Sequence, residues 1–572
     1  MRKSTWLALF VLLAIPPVAA AKHSMRVGQG KNIIQVTTHL VQVNVIVKDR
    51  HGLLVPGLKQ DDFTIFDDGK PQKISGFLVD QSRKLPALPP VPPDVFTNIP
   101  ERLAGGSPAV TVVLLDGLNT RWEDQARARQ QVVKFLQQLQ PVDRVGIYTL
   151  GTRLMMLHDF TSDSAALVQA LAHYRGRAGG EVEASQADNS ENPPQWVDTV
   201  GQMSAGIPSA AVTSLIASWL ANATAVESRY FMNQRVEMTV DALVAIANHL
   251  RGVPGRKNLI WVSSAFPLLV GMDHFMESGD FSNGSTYGAE VSRATEAVND
   301  VNLAIYPVDA RGLMVDPNFS VRPGAPNPRA FSRMQQPKLA AHLTDNFPTM
   351  DEFARRTGGR AFYNTNDIQG AIRQVIDDSR LTYLLTYYPT NTVWNGKFHK
   401  IKVKVDRPGV RLQYRDGYAA VPEPPGATRS AAQTLAAAVQ SPLDATGVDF
   451  VVRATPASAA SQKLTVQYWV DPRDITLAPV GKKLAVRVTM VVEQFGPRGE
   501  ALKGVSHAFD FDFDASNQQK FLAGGLRYTE ALAIVPGAER IRFVVRDDPT
   551  LSIGSLSMPL DRVNSPPNSS HK

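Results

Sequence analysis

Asp116 closes the apolar run Ala109–Leu115 (AVTVVLL), and Asn119 and Thr120 follow within four residues. A carboxylate backed by side-chain oxygens in a loop beyond a buried strand can hold a hard cation such as Mg2+, which takes oxygen ligands. The same Asp can instead cap a helix opening at Arg121, and spacing alone leaves both readings open. Other candidates carry less. Asp510, Asp512 and Asp514 have the spacing that begins a calcium loop, but Ala515 stands at the sixth position, where the turn needs glycine. Their alternation with Phe509, Phe511 and Phe513 reads as a strand with one acidic face toward solvent. The segment Gly252–Lys257 (GVPGRK) lacks the spacing and the hydroxyl residue of a phosphate loop and reads as a tight turn. His158 beside Asp159 reads as a solvated pair. Tyr383, Tyr387 and Tyr388 with Trp394 are explained more simply by sheet packing than as an aromatic patch. Neither His-Glu-x-x-His nor Gly-x-Ser-x-Gly occurs. With no cysteine in 572 residues, thiolate metal sites, cysteine nucleophiles and disulfides are excluded.

Asp116 must be positioned by an α/β scaffold. An uninterrupted apolar strand is expected where both faces are buried, as in parallel sheets. A helix is expected over Arg121–Leu139, then a strand over Val145–Leu150 and a helix over Ser164–Tyr174. Helix Thr239–Leu250, strand Leu259–Val262, helix Val291–Val301 and strand Leu303–Val308 continue the alternation. Helix Met350–Thr357 should close at Gly358-Gly359 in the left-handed conformation, followed by strand Ala361–Tyr363 and helix Ile368–Ser379. Such alternation predicts a doubly wound, mainly parallel sheet, whose ligands bind beyond the carboxyl ends of its strands.

The flanks have a different character. Residues 33–80 read as a small all-β unit, with Val41, Val43, Val45 and Val47 at period two and Asp67-Asp68-Gly69-Lys70 as a hairpin turn. A proline-rich linker is expected over 84–108. The central domain spans 109–420, with an insertion over 176–235 and closing strands at Thr382–Tyr388, Lys400–Val405 and Val410–Tyr414. A second linker over 421–439 leads to a β-sandwich over 440–561, built on Leu464–Val470, Leu484–Val492, Ala508–Phe513 and Ile541–Val545. Residues 562–572 read as a disordered tail. No internal repeat is visible.

Arg2 and Lys3 precede the apolar run Trp6–Ile15, and Ala19–Ala21 follow; this is the pattern of a secretory signal over 1–21. That run is too short to span a bilayer, which takes about 20 apolar residues. The uncharged stretch Thr199–Val226 is polar enough to read as an amphipathic helix rather than a span. No transmembrane segment is expected once the signal is removed, and the expected location is the periplasm or the cell exterior. The formal charge of +7 falls to about +5 without Arg2 and Lys3. The remaining Lys and Arg are scattered among acids, so nucleic acid is not an expected partner.

The order AVTVVLLDGLNT, DRVGIYTL, FTSD, PGRKNLIWVSSAFP, AIYPVDARG and FARRTGGRAFYNTND resembles a von Willebrand factor type A domain. It is most similar to the divergent variant common in secreted acidobacterial proteins, over about residues 109–390. The flanks LVQVNVIVKDRHGLLVPGLKQDDFTIFDDGK and KFHKIKVKVDRPGVRLQYRDGY are similar to segments that accompany that variant. The resemblance implies a metal-ion-dependent adhesion site of the pattern Asp-x-Ser-x-Ser, a Thr in a second loop and an Asp after a later strand. Asp116 matches the first Asp, Thr120 the last hydroxyl and Thr161 the second-loop Thr. Leu118 replaces the middle serine, and Ser264-Ala265 replaces the later Asp-Gly. Asp116 is then the one charged ligand, with Asn119 and Ser264 as substitute donors, so weak binding of Mg2+ or another divalent cation, or none, is expected.

The expected function is non-enzymatic binding or adhesion to a protein or cell-surface partner, through the face carrying Asp116, Asn119, Thr120 and Thr161. The alternatives are a secreted hydrolase with dispersed catalytic residues and a structural scaffold of an envelope assembly. The oligomeric state is not readable from the sequence.

Overall fold

The computed structural model describes residues 40–564 except 82–90, 93, 100–108, 175–229, 232, 267–287, 314–345, 392, 396, 421–430, 457–462 and 481–482. The expected signal peptide, the amphipathic helix Thr199–Val226, most of the 176–235 insertion and the tail beyond 564 lie outside the described residues. Among the described residues no helix is long and apolar enough to cross a membrane.

The chain opens with β1 (Val41–Lys48), β2 (Phe63–Asp67), β3 (Lys70–Gln72), β4 (Ile74–Gln81) and the short β5 (Val95–Thr97). The α/β segment then runs β6 (Ala109–Asp116), α1 (Trp122–Leu136), β7 (Val145–Leu150), β8 (Leu154–Thr161) and α2 (Ser164–His173). It continues with α3 (residues 233–250), β9 (Arg256–Ser263), α4 (Gly288–Asp300), β10 (Leu303–Asp309), α5 (Asn346–Thr357) and α6 (Ile368–Asp378). Its sheet has the order β10-β9-β6-β7-β8, parallel except for the antiparallel edge strand β8. Alternate residues of β6 face opposite ways. Val110, Val112 and Leu114 pack under α3, α4 and α5, while Val113 and Leu115 pack with α1, α2 and α6. The result is a mixed α/β domain of three layers, which is why β6 is apolar throughout. The expected strand Ala361–Tyr363 shrinks to one bridge at Phe362 beside Val308. Gly358 closes α5 at φ 78°, and a Cβ on the adjacent Gly359 would lie 1.9 Å from the Ile305 carbonyl.

Strands β11 (Leu381–Tyr387), β12 (Phe398–Val405), β13 (Arg411–Gln413) and β14 (Gly417–Ala419) follow. They do not close the α/β domain. Antiparallel β1 and β4 pair with opposite sides of β11, and β2 pairs with β12, giving the sheets β13-β1-β11-β4 and β14-β12-β2-β3. The division at residue 80 therefore does not hold. A unit of residues 33–80 would be too small to bury a core unaided. In the structure Val41, Val43, Val45 and Val47 pack with Tyr383, Leu385, Tyr387, Ile401 and Val403 in one sandwich. The α/β segment is an insertion between β4 and β11. Its base is tied to the sandwich by Lys48 Nζ and Asp378, 2.6 Å apart, and by Gln413 Nε2, which donates to the Gly358 carbonyl at 3.1 Å.

Helix α7 (Ala431–Gln440), which takes the place of the expected second linker, leads to β15 (Phe450–Pro456), β16 (Lys463–Val470), β17 (Ala478–Val480) and β18 (Lys483–Phe495). Strands β19 (Ala501–Asp514), β20 (Leu526–Ala533), β21 (Arg540–Asp547) and β22 (Ile553–Pro559) complete a second sandwich. One sheet is β20-β16-β15-β5, so part of the expected proline-rich linker is an edge strand of this distant domain. In β19 the carboxylates of Asp510, Asp512 and Asp514 are exposed and Phe509, Phe511 and Phe513 pack on the core. Arg487 pairs with Asp510 and Asp512 at 2.8 and 3.0 Å.

His249 at the end of α3 joins the α/β domain to this sandwich. Its Nδ1–H donates to the Asp444 carbonyl, and Nε2 lies 3.8 Å from Asp159 Oδ1. Burial pulls the ring's pKa down, but Asp159 and Asp444 together outweigh it, and the net shift is upward. A histidine whose folded pKa is raised stabilises fully below its unfolded value, about 6.5, and loses that contribution as pH rises through the folded value. The unfolding midpoint is therefore expected to fall as pH rises from about 6.5 through the raised folded value. Scanning calorimetry of His249→Gln should show that component of the slope removed; an unchanged slope would mean that His249 does not carry it.

Candidate functional site

Asp116 ends β6 in the middle of the sheet and is 2% exposed. Its Oδ1 accepts the Asn119 backbone N–H at 3.0 Å. Its Oδ2 accepts Asn119 Nδ2 at 2.9 Å and Trp261 Nε1 at 2.8 Å, and Ser263 Oγ lies 3.0 Å away. Burial pushes the carboxyl above the usual range, and these hydrogen bonds pull it back only in part. Asn119 passes the network on: its Nδ2 also donates to Thr239 Oγ1 at 3.0 Å, and its Oδ1 accepts Arg235 Nε at 3.0 Å. Thr120 Oγ1 accepts the Ser264 N–H at 3.1 Å, and Ser264 Oγ donates to Asp124 Oδ2 at 2.8 Å. The residues singled out in DGLNT and VSSA thus meet, and they fasten β6, β9, α1 and α3 together at one end of the sheet.

Thr161 is not among them. Along β7 the register sets Leu150 beside Asp116 and Val145 beside Thr161, so Thr161 stands at the opposite end of the sheet. Five residues of strand separate the two ends, about 17 Å at 3.3–3.4 Å per residue. There Thr161 Oγ1 accepts the Asp163 N–H at 3.0 Å, and Asp163 caps α2 through the N–H groups of Ala165 and Ala166. Its role is local to that turn.

These residues do not suit a divalent cation. Both Asp116 oxygens are taken by protein donors, and three groups converge on Oδ2. Leu118, at the middle-serine position, is buried in the apolar core under α3. The substitute oxygen of Asn119 already faces the fixed positive charge of Arg235. A hard cation needs six or more oxygens turned toward it, and here the hydroxyls and amides point at one another. The later carboxylate at this end, Asp309, is held by Arg311 through Nε at 3.0 Å to Oδ1 and Nη2 at 2.8 Å to Oδ2.

Beside this network is a cavity of about 290 Å³ between the end of β6 and α1. Leu115, Trp122, Ala126 and Val262 give it apolar walls, and Asp116 and Arg129 mark its polar side. Trp122 is 54% exposed at its rim. Sequence reasoning missed Trp261, Ser263, Arg235 and Thr239. Trp261 and Ser263 carried a signal: they lie two residues apart in WVS, and in a parallel neighbour of β6 both share the face of Asp116.

No protein family matches the chain by sequence, and no curated protein matches it. Among solved structures it is similar to an aerotolerance-related membrane protein from Bacteroides fragilis, at 14% identity, 47% of this chain, 98% of that chain and a TM-score of 0.21. BatB from Bacteroides thetaiotaomicron gives 13% identity over 47% of this chain and 97% of that one, with a TM-score of 0.20. The SpRpn10 VWA domain gives 15% identity over 32% and 94%, with a TM-score of 0.13. At these scores the likenesses carry no weight for function.

Proposed function

We propose that this chain is an exported, non-enzymatic binding protein whose von Willebrand factor A-like domain engages a protein partner without metal, at the carboxyl end of β6. The observation that carries this reading is the apolar cavity rimmed by the exposed Trp122. Tryptophan and arginine side chains that become buried at the centre of an interface are the usual centres of binding energy. The buried carboxylates at this end are engaged within the domain, Asp116 by Asn119 and Trp261, Asp124 by Ser264 and Asp309 by Arg311, which favours contact over general-base chemistry.

Peptides displayed on phage and selected on the purified chain test the reading. The enriched sequences should share one large apolar side chain. Trp122→Ala, which removes the anchor, and Ala126→Trp, which narrows the cavity mouth, should each weaken them by about tenfold or more. Both residues are exposed, so the unfolding midpoint should stay within a few degrees of the parent. Peptides that bind both variants as tightly as the parent would place the contact elsewhere, and selection without enrichment would count equally against the reading.

A further inference from the structure

The hairpin turn Asp67-Asp68-Gly69-Lys70 lies in the first sandwich, outside the α/β segment. Asp68 and Gly69 have φ of 45° and 79°, the left-handed pair that a two-residue hairpin loop requires. That turn lifts two consecutive carboxylates against β12, where His399 is buried. His399 Nδ1 lies 3.2 Å from Asp67 Oδ1 and 3.6 Å from Asp68 Oδ2. The three groups present ligand atoms that all lie within 4.8 Å of one another.

The other oxygen of each carboxylate is occupied by protein. Asp67 Oδ2 accepts the hydroxyls of Tyr387 at 3.0 Å and Tyr418 at 2.8 Å. Asp68 Oδ1 accepts the Lys400 N–H at 2.8 Å. A phenol hydroxyl facing a carboxylate oxygen can only donate to it, so both tyrosines fix the orientation of Asp67. Each carboxylate is thus oriented from behind and turns its remaining oxygen toward one imidazole nitrogen. Donors behind a ligating carboxylate are the usual outer shell of a metal site.

A hydrogen bond explains the arrangement less well. One N–H at Nδ1 can serve only one of the three oxygens around it, Asp67 Oδ1, Asp68 Oδ2 and the Tyr418 hydroxyl 3.3 Å away, whereas an ion would engage both carboxylates together. Zinc bound at about 2.0–2.2 Å by nitrogen and oxygen ligands sets neighbouring ligand atoms of a tetrahedron about 3.3–3.5 Å apart. The observed 3.2 and 3.6 Å bracket that spacing. Asp68 is 45% exposed, which gives an ion a path in and leaves a fourth position open to water.

We propose that Asp67 Oδ1, Asp68 Oδ2 and His399 Nδ1 form a binding site for Zn2+ or a similar first-row divalent ion, with Tyr387, Tyr418 and the Lys400 N–H positioning the carboxylates. The site is independent of Asp116 and of the partner-binding face.

Titration of the chelator-treated, full-length chain with Co2+ and then Zn2+ tests this. One equivalent of Co2+ should develop the intense visible absorption of a four-coordinate ion, and Zn2+ should displace it. Zn2+ should also raise the unfolding midpoint as its concentration passes the dissociation constant. Asp68→Asn alters an exposed turn residue, keeps the fold and should weaken binding by about tenfold or more; Tyr418→Phe, which removes a positioning donor, should weaken it by about tenfold. Absence of stoichiometric binding at micromolar metal overturns the proposal. So does binding that Asp68→Asn leaves unchanged, because the ion would then sit on other histidines.

Discussion

Replacing Asp116 by alanine is expected to lower the unfolding midpoint of the α/β domain by about 10 °C, and millimolar Mg2+ is expected to change nothing in either protein. The loss follows from what the carboxylate holds. Trp261 Nε1 and the Asn119 backbone N–H would be left buried without an acceptor, and Asn119 would lose its grip on the loop. Orphaned buried donors cost about 1–3 kcal/mol each, and breaking a buried charged network costs about 3–5 kcal/mol. At about 2–4 °C per kcal/mol for a domain of this size, a shift near 10 °C results. Calorimetry with and without Mg2+ separates two roles for one residue. A structural fastener gives the loss and no ion effect. An ion-dependent rise in the parent that disappears in Asp116→Ala would instead restore a metal-dependent adhesion site.

Arg542→Met should do comparable damage in the second sandwich, again near 10 °C. Arg542 is fully buried on β21, and its five N–H groups have five acceptors. Nε donates to the Ala438 carbonyl at 2.8 Å. Nη1 donates to Asp444 Oδ1 at 3.0 Å and Ser557 Oγ at 2.8 Å, and Nη2 to the Leu443 carbonyl at 2.7 Å and Ser555 Oγ at 2.8 Å. Methionine matches the stem but takes the guanidinium away from the Asp444 carboxylate and the Ala438 carbonyl, a loss of about 3–5 kcal/mol. Lysine should rescue little, because a single ammonium offers three donors and cannot reproduce the planar fork. A loss below about 1 kcal/mol would show that the segment Ala438–Asp444 repacks without its anchor.

The end of β6 was legible because a strand buried on both faces writes itself as an unbroken apolar run, and a polar residue after it has to be at a strand end. What Asp116 does there was not legible. Its partners Trp261 and Ser263, and Arg235 and Thr239, which hold the neighbouring Asn119, come from elements more than a hundred residues away, and local spacing says nothing about who meets whom. Thr161 shows a different failure, and a correctable one. Three residues, Gly151–Arg153, join β7 to β8. A link that short allows only an antiparallel hairpin, because a parallel crossover takes a dozen residues or more. Thr161 could therefore have been assigned to the far end of the sheet from the sequence. The first sandwich was hidden for a third reason. Reading along the chain groups neighbours, and the strand that β1 lies against is more than three hundred residues downstream.

That last separation bears on how the protein comes into being. Val41 waits for Tyr387, and Thr97, on the short strand that crosses to the second sandwich, waits for Phe450, 353 residues later. Synthesis at about 5–20 residues per second would leave these early strands without partners for tens of seconds. The α/β segment between them can fold first, and doing so draws Gln81 and Leu381 together as paired neighbours, turning a long loop closure into a short one. Until then β1 is an apolar strand with free edges, the kind of segment that aggregates or recruits a holding chaperone. Strands made hundreds of residues later thus complete the first, and a chain truncated before Leu381 would carry an α/β domain trailing an amino-terminal segment that lacks its β11 partner.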